Sequence, residues 1–410
     1  MQDTTRTNTV NSKHPSQLSF KLLKKFLNNI IIGRLTLNDS GMECHFGDAS
    51  STLTATITIN NPLAYRKMLL GGSVGTAKAY IDGLWDCDNL ANLFLIFLKN
   101  YRTLNQIEGG FGHVLNAVNR LLDLFKQNTV SQSKQNIRAH YDLSNEFYQL
   151  FLDDKMMYSS GYFKSPDMTL EQASDAKLER ICQQLQLNEN DHVLEIGTGW
   201  GGFAIYAITN YGCRITTTTI SDAQYKLAKQ RIKDAGVSDK VTLLQRDYRD
   251  LEGSYDKLVS IEMVEAVGDK FFGAYFKQCS DLLKPGGLFM LQGITIVDQL
   301  YDEYKRSVDF IKKYIFPGGC VPSLAVIMQH IAKQTTLQVL DIHSLGDDYV
   351  KTLALWHERF EAVLPQVKQL GFDEAFIRMW RYYLLYCQAG FMQRHINDLQ
   401  ILFHKAEHYG

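Results

Sequence analysis

Residues 193–201 read VLEIGTGWG: a short apolar run carrying one acid, then glycines at 197, 199 and 201. The run predicts a buried strand that turns into a helix at the glycines. Glycine has no Cβ, so Gly197 and Gly199 would let a ligand lie against the main chain of that turn. The pattern points to a nucleotide-like cofactor. Glycine-rich turns of this kind also serve phosphates and dinucleotides, so the flanking sequence has to decide between them.

From about residue 170 onward, helical patterns alternate with the strand-like runs HVLEI, CRITTTTI, KVTLLQ, KLVSI and LFMLQGITI. That rhythm predicts an α/β fold with a doubly wound, Rossmann-like sheet. A dinucleotide fold would carry the third glycine of GxGxxG and an acid closing the second strand. Here Gly202 follows Gly201 directly, and the second strand runs into TTTTISDAQ, which offers hydroxyls and an amide before Asp222. Downstream lie DYRD at 247–250, YDKLVSIEMVEAVG at 255–268 and LLKPGGLFMLQ at 282–292. Their order and spacing are those of a class I methyltransferase.

The chain has 410 residues, 45% of them hydrophobic, enough for two or three domains with buried cores. A net charge of −1 gives no overall attraction to nucleic acid, and none is expected as a partner. The first 35 residues are a local exception, with six basic side chains against Asp3 alone. Seven scattered cysteines lack CxxC or His spacing, which argues against a metal site and against a disulfide framework. A reducing cytoplasm suits them. The longest apolar stretch, ANLFLIFL at 91–98, is far short of the roughly 20 residues that span a bilayer, and the polar N-terminus does not read as a secretory signal.

Residues 20–35 place Leu22, Leu23, Phe26, Leu27, Ile30 and Ile31 on one helical face beside Lys21, Lys24 and Lys25. Such a helix either lies in a lipid interface or packs on its own domain. LTATITI at 53–59 alternates as a strand, and an apolar helix is expected near 88–100. Together these predict a small N-terminal α+β lipid-docking domain over 1–122. The polar run KQNTVSQSKQN at 126–136 marks a linker, taken as 123–138, ahead of a catalytic domain over 139–410.

Across residues 140–400 the sequence resembles the cyclopropane fatty acid synthases and the related mycolic acid methyltransferases. The motifs that carry the resemblance include HYDLSNEFYQLFLDDKMMYSSGYF at 140–163, VLEIGTGWGG, TISDAQ at 219–224, RDYRDL, EMVEAVG, YIFPGGCVPS at 314–323 and GDDYVKTLALWHERF at 346–360. GSVGTAKAYIDGLW in the first domain resembles the N-terminal domain of the full-length phospholipid enzymes. The resemblance implies S-adenosylmethionine as cofactor. Tyr158 and Ser159 would close over it, and Gly197 and Gly199 would pass beneath its amino acid and ribose. Thr219 and Gln224 would hold the ribose hydroxyls, and Asp247 and Tyr248 would flank the adenine.

The implied reaction puts a one-carbon unit on an acyl-chain double bond of a phospholipid. An alkene is a poor nucleophile and its attack leaves a carbocation, so ring closure needs a base and a dry, aromatic-walled tunnel. Tyr162, Phe310, Tyr314, Trp356, Tyr382, Tyr383 and Phe391 are candidates for the walls. In the family that base is a bound bicarbonate, and the resemblance assigns its holders to Glu265, Tyr349, the Ile294 backbone, Ser160 in place of a cysteine and Gln292 in place of a histidine. Glu262 is a competing acid in the same loop, and Glu265 alternatively caps the following helix. His140 and His357 read as structural.

Cyclopropanation is the leading expectation. The alternatives are a methyl-branched or methylene product without ring closure, N-methylation of a soluble amine, and a non-catalytic lipid-binding protein. The enzyme is expected in the cytoplasm, peripheral to the inner face of a membrane whose phospholipids carry unsaturated acyl chains, with a homodimer offering two docking faces.

Overall fold

A computed structural model describes residues 15–108 and 143–407. The chain divides into two compact units, Met1–Asn116 and Ala117–Gly410. The expected boundary at 122 and the linker 123–138 fall outside the described residues.

The first unit is α+β: α1 (Pro15–Leu27), β1 (Arg34–Asp39), β2 (Met42–Gly47), β3 (Thr54–Ile59), α2 (Leu63–Ile81), β4 (Trp85–Cys87), α3 (Leu90–Lys99) and α4 (Tyr101–Glu108). Its sheet runs β2-β1-β3-β4, with β1 and β3 parallel and the outer pairings antiparallel. LTATITI is β3, and its alternation turns Ala55, Ile57 and Ile59 inward.

The helix expected over 20–35 stops earlier, at Leu27. Asn29 Nδ2 donates to the carbonyls of Lys25 and Phe26 at 2.8 and 3.0 Å, which satisfies two helix-end acceptors. Asn100 Oδ1 then accepts the N–H groups of Ile31 and Ile32 ahead of β1. Leu23, Leu27 and Ile30 are buried, whereas Leu22 is 47% and Ile31 65% exposed. Lys21, Lys24 and Lys25 face solvent.

In the second unit a seven-stranded sheet has the order β10-β11-β9-β8-β5-β6-β7. The elements follow in chain order: α5 (Asn145–Gln149), α6 (Leu170–Gln184), β5 (His192–Ile196), α7 (Gly202–Tyr211), β6 (Arg214–Thr218), α8 (Asp222–Asp234), β7 (Val241–Leu244), β8 (Tyr255–Ile261), α9 (Phe272–Leu282) and β9 (Leu283–Ile296). Next come α10 (Asp298–Tyr304), α11 (Leu324–Gln334), β10 (Leu337–Ser344), α12 (Gly346–Ala362), α13 (Leu364–Gln369), α14 (Glu374–Met392) and β11 (Ile396–Lys405). The five strand-like runs read from the sequence are β5 to β9, mutually parallel, while β10 and β11 join antiparallel.

Period two sends successive strand residues to opposite faces. Leu194, Leu258 and Phe289 enter one core with Phe272 and Phe276 of α9, while Val193, Val259 and Met290 enter another with Ile181 of α6 and Phe203 of α7. Helices therefore cover both faces, as a doubly wound sheet requires. The chain moves from β5 outward to β7, then returns with β8 on the other side of β5. Such a reversal opens a crevice at the carboxyl ends of the two strands.

Candidate active site

The turn after β5 sits at that crevice. Thr218 O accepts the N–H groups of both Gly197 and Thr198, at 3.2 and 2.9 Å, which ties the turn to the end of β6. Gly197, Gly199 and Gly201 have φ of +103°, +51° and +85°, a region that L side chains rarely adopt. A Cβ on Gly199 would meet nothing within 4 Å, so the turn leaves open space where a ligand would lie. Gly202 is tight for another reason: a Cβ there would stand 2.6 Å from Met157 Sδ and 2.8 Å from Lys155 O. No side chain caps the start of α7, whose first amides border the same space. Uncapped helix amides favour an anionic group.

A cavity of about 170 Å³ opens over this turn. Tyr158, Ser159, Gly197, Gly199, Thr219, Gln224, Asp247 and Tyr248, the eight residues expected around the cofactor, all line it. Asp153 accepts the N–H groups of Lys155 and Met157 and so folds the segment that carries Tyr158 and Ser159. Thr219 donates to Gln224 Oε1 at 2.8 Å, which pairs the two expected ribose ligands. Asp247 accepts from the backbone N–H, Nε and Nη2 of Arg249 at 3.0, 2.8 and 2.7 Å. Glu195 also lines the cavity. It was read only as a strand residue, yet burial pushes its carboxyl up to about 8 against a hydrogen bond from Thr217.

Beside this cavity the groups expected to hold bicarbonate converge, but on a different partner. The Ser160 N–H and Gln292 Nε2 donate to Glu262 Oε1 at 2.8 and 3.0 Å, and the Tyr349 hydroxyl donates to Glu262 Oε2 at 2.7 Å. The Ser160 hydroxyl, expected to face the anion, donates to the Gly161 carbonyl. Glu265 Oε1 accepts the Ile294 N–H, and its Oε2 is buried with no hydrogen-bond partner. Glu262 lines the cofactor cavity. Glu262, the residue after β8, thus receives three of the five groups expected around the anion: Gln292 of β9, Tyr349 of α12 and the Ser160 N–H.

Glu262 has φ of +48°, a left-handed backbone that a bulky L residue adopts only under constraint. The Glu262 N–H donates to Gln292 O at 2.8 Å and fixes that conformation at the end of the strand pair.

Four acids, Glu262, Glu265, Asp398 and Asp153, share this region with Lys177. Lys177 of α6 is buried and donates to Ser159 Oγ; burial lowers its pKa, while Glu262, Asp153 and Asp398 support its charge. Burial raises Glu262, opposed first by Lys177 and then by Tyr349, Ser160 and Gln292. Burial, with the Glu262 charge added, pushes Glu265 up to about 8. Burial and the Glu262 and Glu265 charges hold Asp398 well above the carboxylate range. The ammonium and three donors favour the ionised form of Glu262, whereas the Glu262 charge adds to burial in raising Glu265 and Asp398.

Most of the aromatic groups expected for a tunnel wall are buried and pack on other rings. Tyr349 stacks on Phe391 at 4.5 Å, Tyr158 stacks on Trp356 at 5.3 Å and donates to or accepts from Tyr383, and Tyr382 packs on Phe310 at 4.7 Å. His357 lies 3.5 Å from Glu361 in α12, and burial lowers its pKa. His140 lies outside the described residues. Lys177 and Asp398 escaped the sequence reading, since neither stands in a motif that marks it.

The model of the mycolic acid cyclopropane synthetase family matches residues 128–401. The chain belongs to that family. Within it, the chain is 38% identical over 362 residues to the cyclopropane-fatty-acyl-phospholipid synthase of Escherichia coli (strain K12), covering 87% of this chain and 89% of that one. It is 35% identical to the tuberculostearic acid methyltransferase of Mycobacterium tuberculosis over 80% of this chain and 78% of that one. Among solved structures, a mycolic acid cyclopropane synthase complexed with SAH and CTAB superposes with a TM-score of 0.63 at 29% identity, over 66% of this chain and 98% of that chain. The protein is a class I methyltransferase that uses S-adenosylmethionine.

Proposed function

We propose that this protein transfers a one-carbon unit from S-adenosylmethionine to the double bond of unsaturated phospholipid acyl chains and closes a cyclopropane ring. The observation that carries this reading is the 38% identity to a cyclopropane-fatty-acyl-phospholipid synthase, which extends over 87% of the chain and so beyond the catalytic unit. Bound S-adenosylmethionine supplies an electrophilic methyl on a sulfonium leaving group.

The chain's residues supply alignment and shelter. Gly197 and Gly199 floor the cofactor, Thr219 and Gln224 hold its ribose, Asp247 and Tyr248 flank its adenine, and Tyr158 and Ser159 cover it. The open space at Gly199 and the uncapped start of α7 support that fit. Aromatic faces from Trp356, Tyr383 and Phe391 keep water from the cationic acyl chain and favour its positive charge. Ring closure also needs a base. The family resemblance supplies it as bicarbonate, three of whose expected holders, Ser160, Gln292 and Tyr349, here bond Glu262.

The first unit docks the enzyme on the membrane through α1, with Lys21, Lys24 and Lys25 at the headgroups and Leu22 toward the acyl region. Among the described residues no helix is long and apolar enough to cross a membrane. A cytoplasmic, peripheral enzyme that works as a homodimer on the inner leaflet follows from this reading.

A second product, a methyl-branched or methylene chain, has support in the 35% identity to a tuberculostearic acid methyltransferase. Incubation with unsaturated phospholipid vesicles and S-adenosylmethionine, followed by mass spectrometry and proton NMR of the acyl chains, separates a ring from a branch and either from no reaction.

A further inference from the structure

We infer that Glu262 is the base of this enzyme: its own carboxylate occupies the anion cup formed by the Ser160 N–H, Gln292 and Tyr349, so turnover requires no bicarbonate. The proposal rests on the acyl-chain reading above and names the group that completes it.

Geometry carries the argument. A bicarbonate ion is a planar oxyanion that needs converging donors, and three of the expected donors here, Ser160, Gln292 and Tyr349, are already committed. Ser160 N and Gln292 Nε2 meet one oxygen of Glu262 and the Tyr349 hydroxyl meets the other, all at 2.7–3.0 Å. The Ser160 hydroxyl is turned to the Gly161 carbonyl and offers nothing to a second anion. Gln292 is itself fixed from both ends, donating to Asp398 Oδ2 and accepting from Gln400 Nε2. Bicarbonate therefore does not fit beside Glu262 without breaking these bonds.

The backbone gives an independent sign. Glu262 holds φ of +48°, a conformation that glycine adopts freely and glutamate does not. Strain of this kind persists where the surrounding structure enforces it, and it clusters at reacting groups. Here it aims a carboxylate at a cavity lined by Gly197, Tyr158 and Ser159, whereas Glu265 is absent from that lining.

The step balances. Attack by the alkene forms one C–C bond as the S–CH3 bond breaks, leaving a cation on the acyl chain. The Glu262 carboxylate then takes a proton from the transferred carbon, the C–H electron pair closes the ring, and Glu262 becomes a neutral acid that returns its proton to solvent. Burial raises the Glu262 pKa, which suits a base that must accept a proton and release it again.

The test uses the full chain with dioleoyl-phospholipid vesicles and saturating S-adenosylmethionine, in buffer stripped of carbon dioxide and in the same buffer with added bicarbonate. The wild type should turn over equally in both. Glu262→Gly relieves the left-handed backbone and empties the cup, so it should lose ~100-fold or more in stripped buffer, the scale of a lost general base, and regain turnover as bicarbonate is added. Glu262→Gln, of the same size as the native residue, should stay inactive in both buffers with an unchanged melting temperature, which keeps the proposal testable if the glycine variant folds poorly. A wild type that needs bicarbonate, or a glutamine variant that turns over normally, overturns the assignment of the base. Absence of any acyl product from the wild type in both buffers overturns the substrate reading, and the proposal with it.

Discussion

The Tyr349 hydroxyl donates to Glu262 Oε2 at 2.7 Å across 87 residues of sequence, joining α12 to the end of β8. The bond stabilises the ionised form of Glu262, since it opposes the rise that burial causes. Tyr349→Phe removes it, so the Glu262 pKa rises further. The acid limb of kcat/KM then moves to higher pH and the rate near neutrality falls ~10-fold, the effect of about one charge-assisted hydrogen bond. A pH–rate profile whose acid limb stays in place would show that Tyr349 acts only in packing.

The parallel strands β5 to β9 were legible because each is a short apolar run bounded by turn residues. β10 was not. It runs at the sheet edge with Val339, Leu340 and Ile342 exposed by 38–57%, and a bulge between Val339 and Asp341 breaks its alternation. The cofactor groups were legible because they travel in contiguous motifs. The role of Glu262 was not, because it depends on Ser160, Gln292 and Tyr349 meeting at one point, and only the three-dimensional fold brings them together. Lys177 stands in the polar stretch DAKLER, outside every motif, yet its side chain is fully buried.

Stability should carry its own pH signature. Glu195 and Glu265 are both raised from 4.5 to about 8, so between those values the folded chain holds protons that the unfolded chain releases. Stability therefore falls as pH rises through that window, and Glu265→Gln, which cannot ionise, flattens part of the slope. Urea midpoints at a series of pH values measure it; parallel slopes for the two proteins would contradict the buried, protonated Glu265.

The glycines of the β5 turn should separate by function. Gly202→Ala drives a Cβ into Met157 Sδ at 2.6 Å and Lys155 O at 2.8 Å, and overpacking of this kind destabilises by about 1–3 kcal/mol. Gly199→Ala meets no atom within 4 Å and loses about 1–2 kcal/mol to its left-handed backbone. It should weaken S-adenosylmethionine binding more than Gly202→Ala does. Melting temperatures and calorimetric titrations of the two variants check the order.

Membrane docking through α1 predicts a charge dependence. Lys21, Lys24 and Lys25 are exposed, and each lysine near an anionic surface contributes about 1 kcal/mol. Changing all three to Glu should lower partitioning onto anionic vesicles by at least ~100-fold, and added salt should weaken the wild type in the same direction. Equal sedimentation of both proteins with vesicles would remove α1 from the docking surface.

On this reading a carbon from S-adenosylmethionine ends on an acyl-chain double bond. Mass spectrometry of vesicle phospholipids, after incubation with the purified chain and S-adenosylmethionine carrying a labelled methyl, reads this directly. The account predicts oleoyl chains heavier by one labelled CH2, with the double bond replaced by a ring. Unmodified acyl chains alongside cofactor turnover on another acceptor would contradict it.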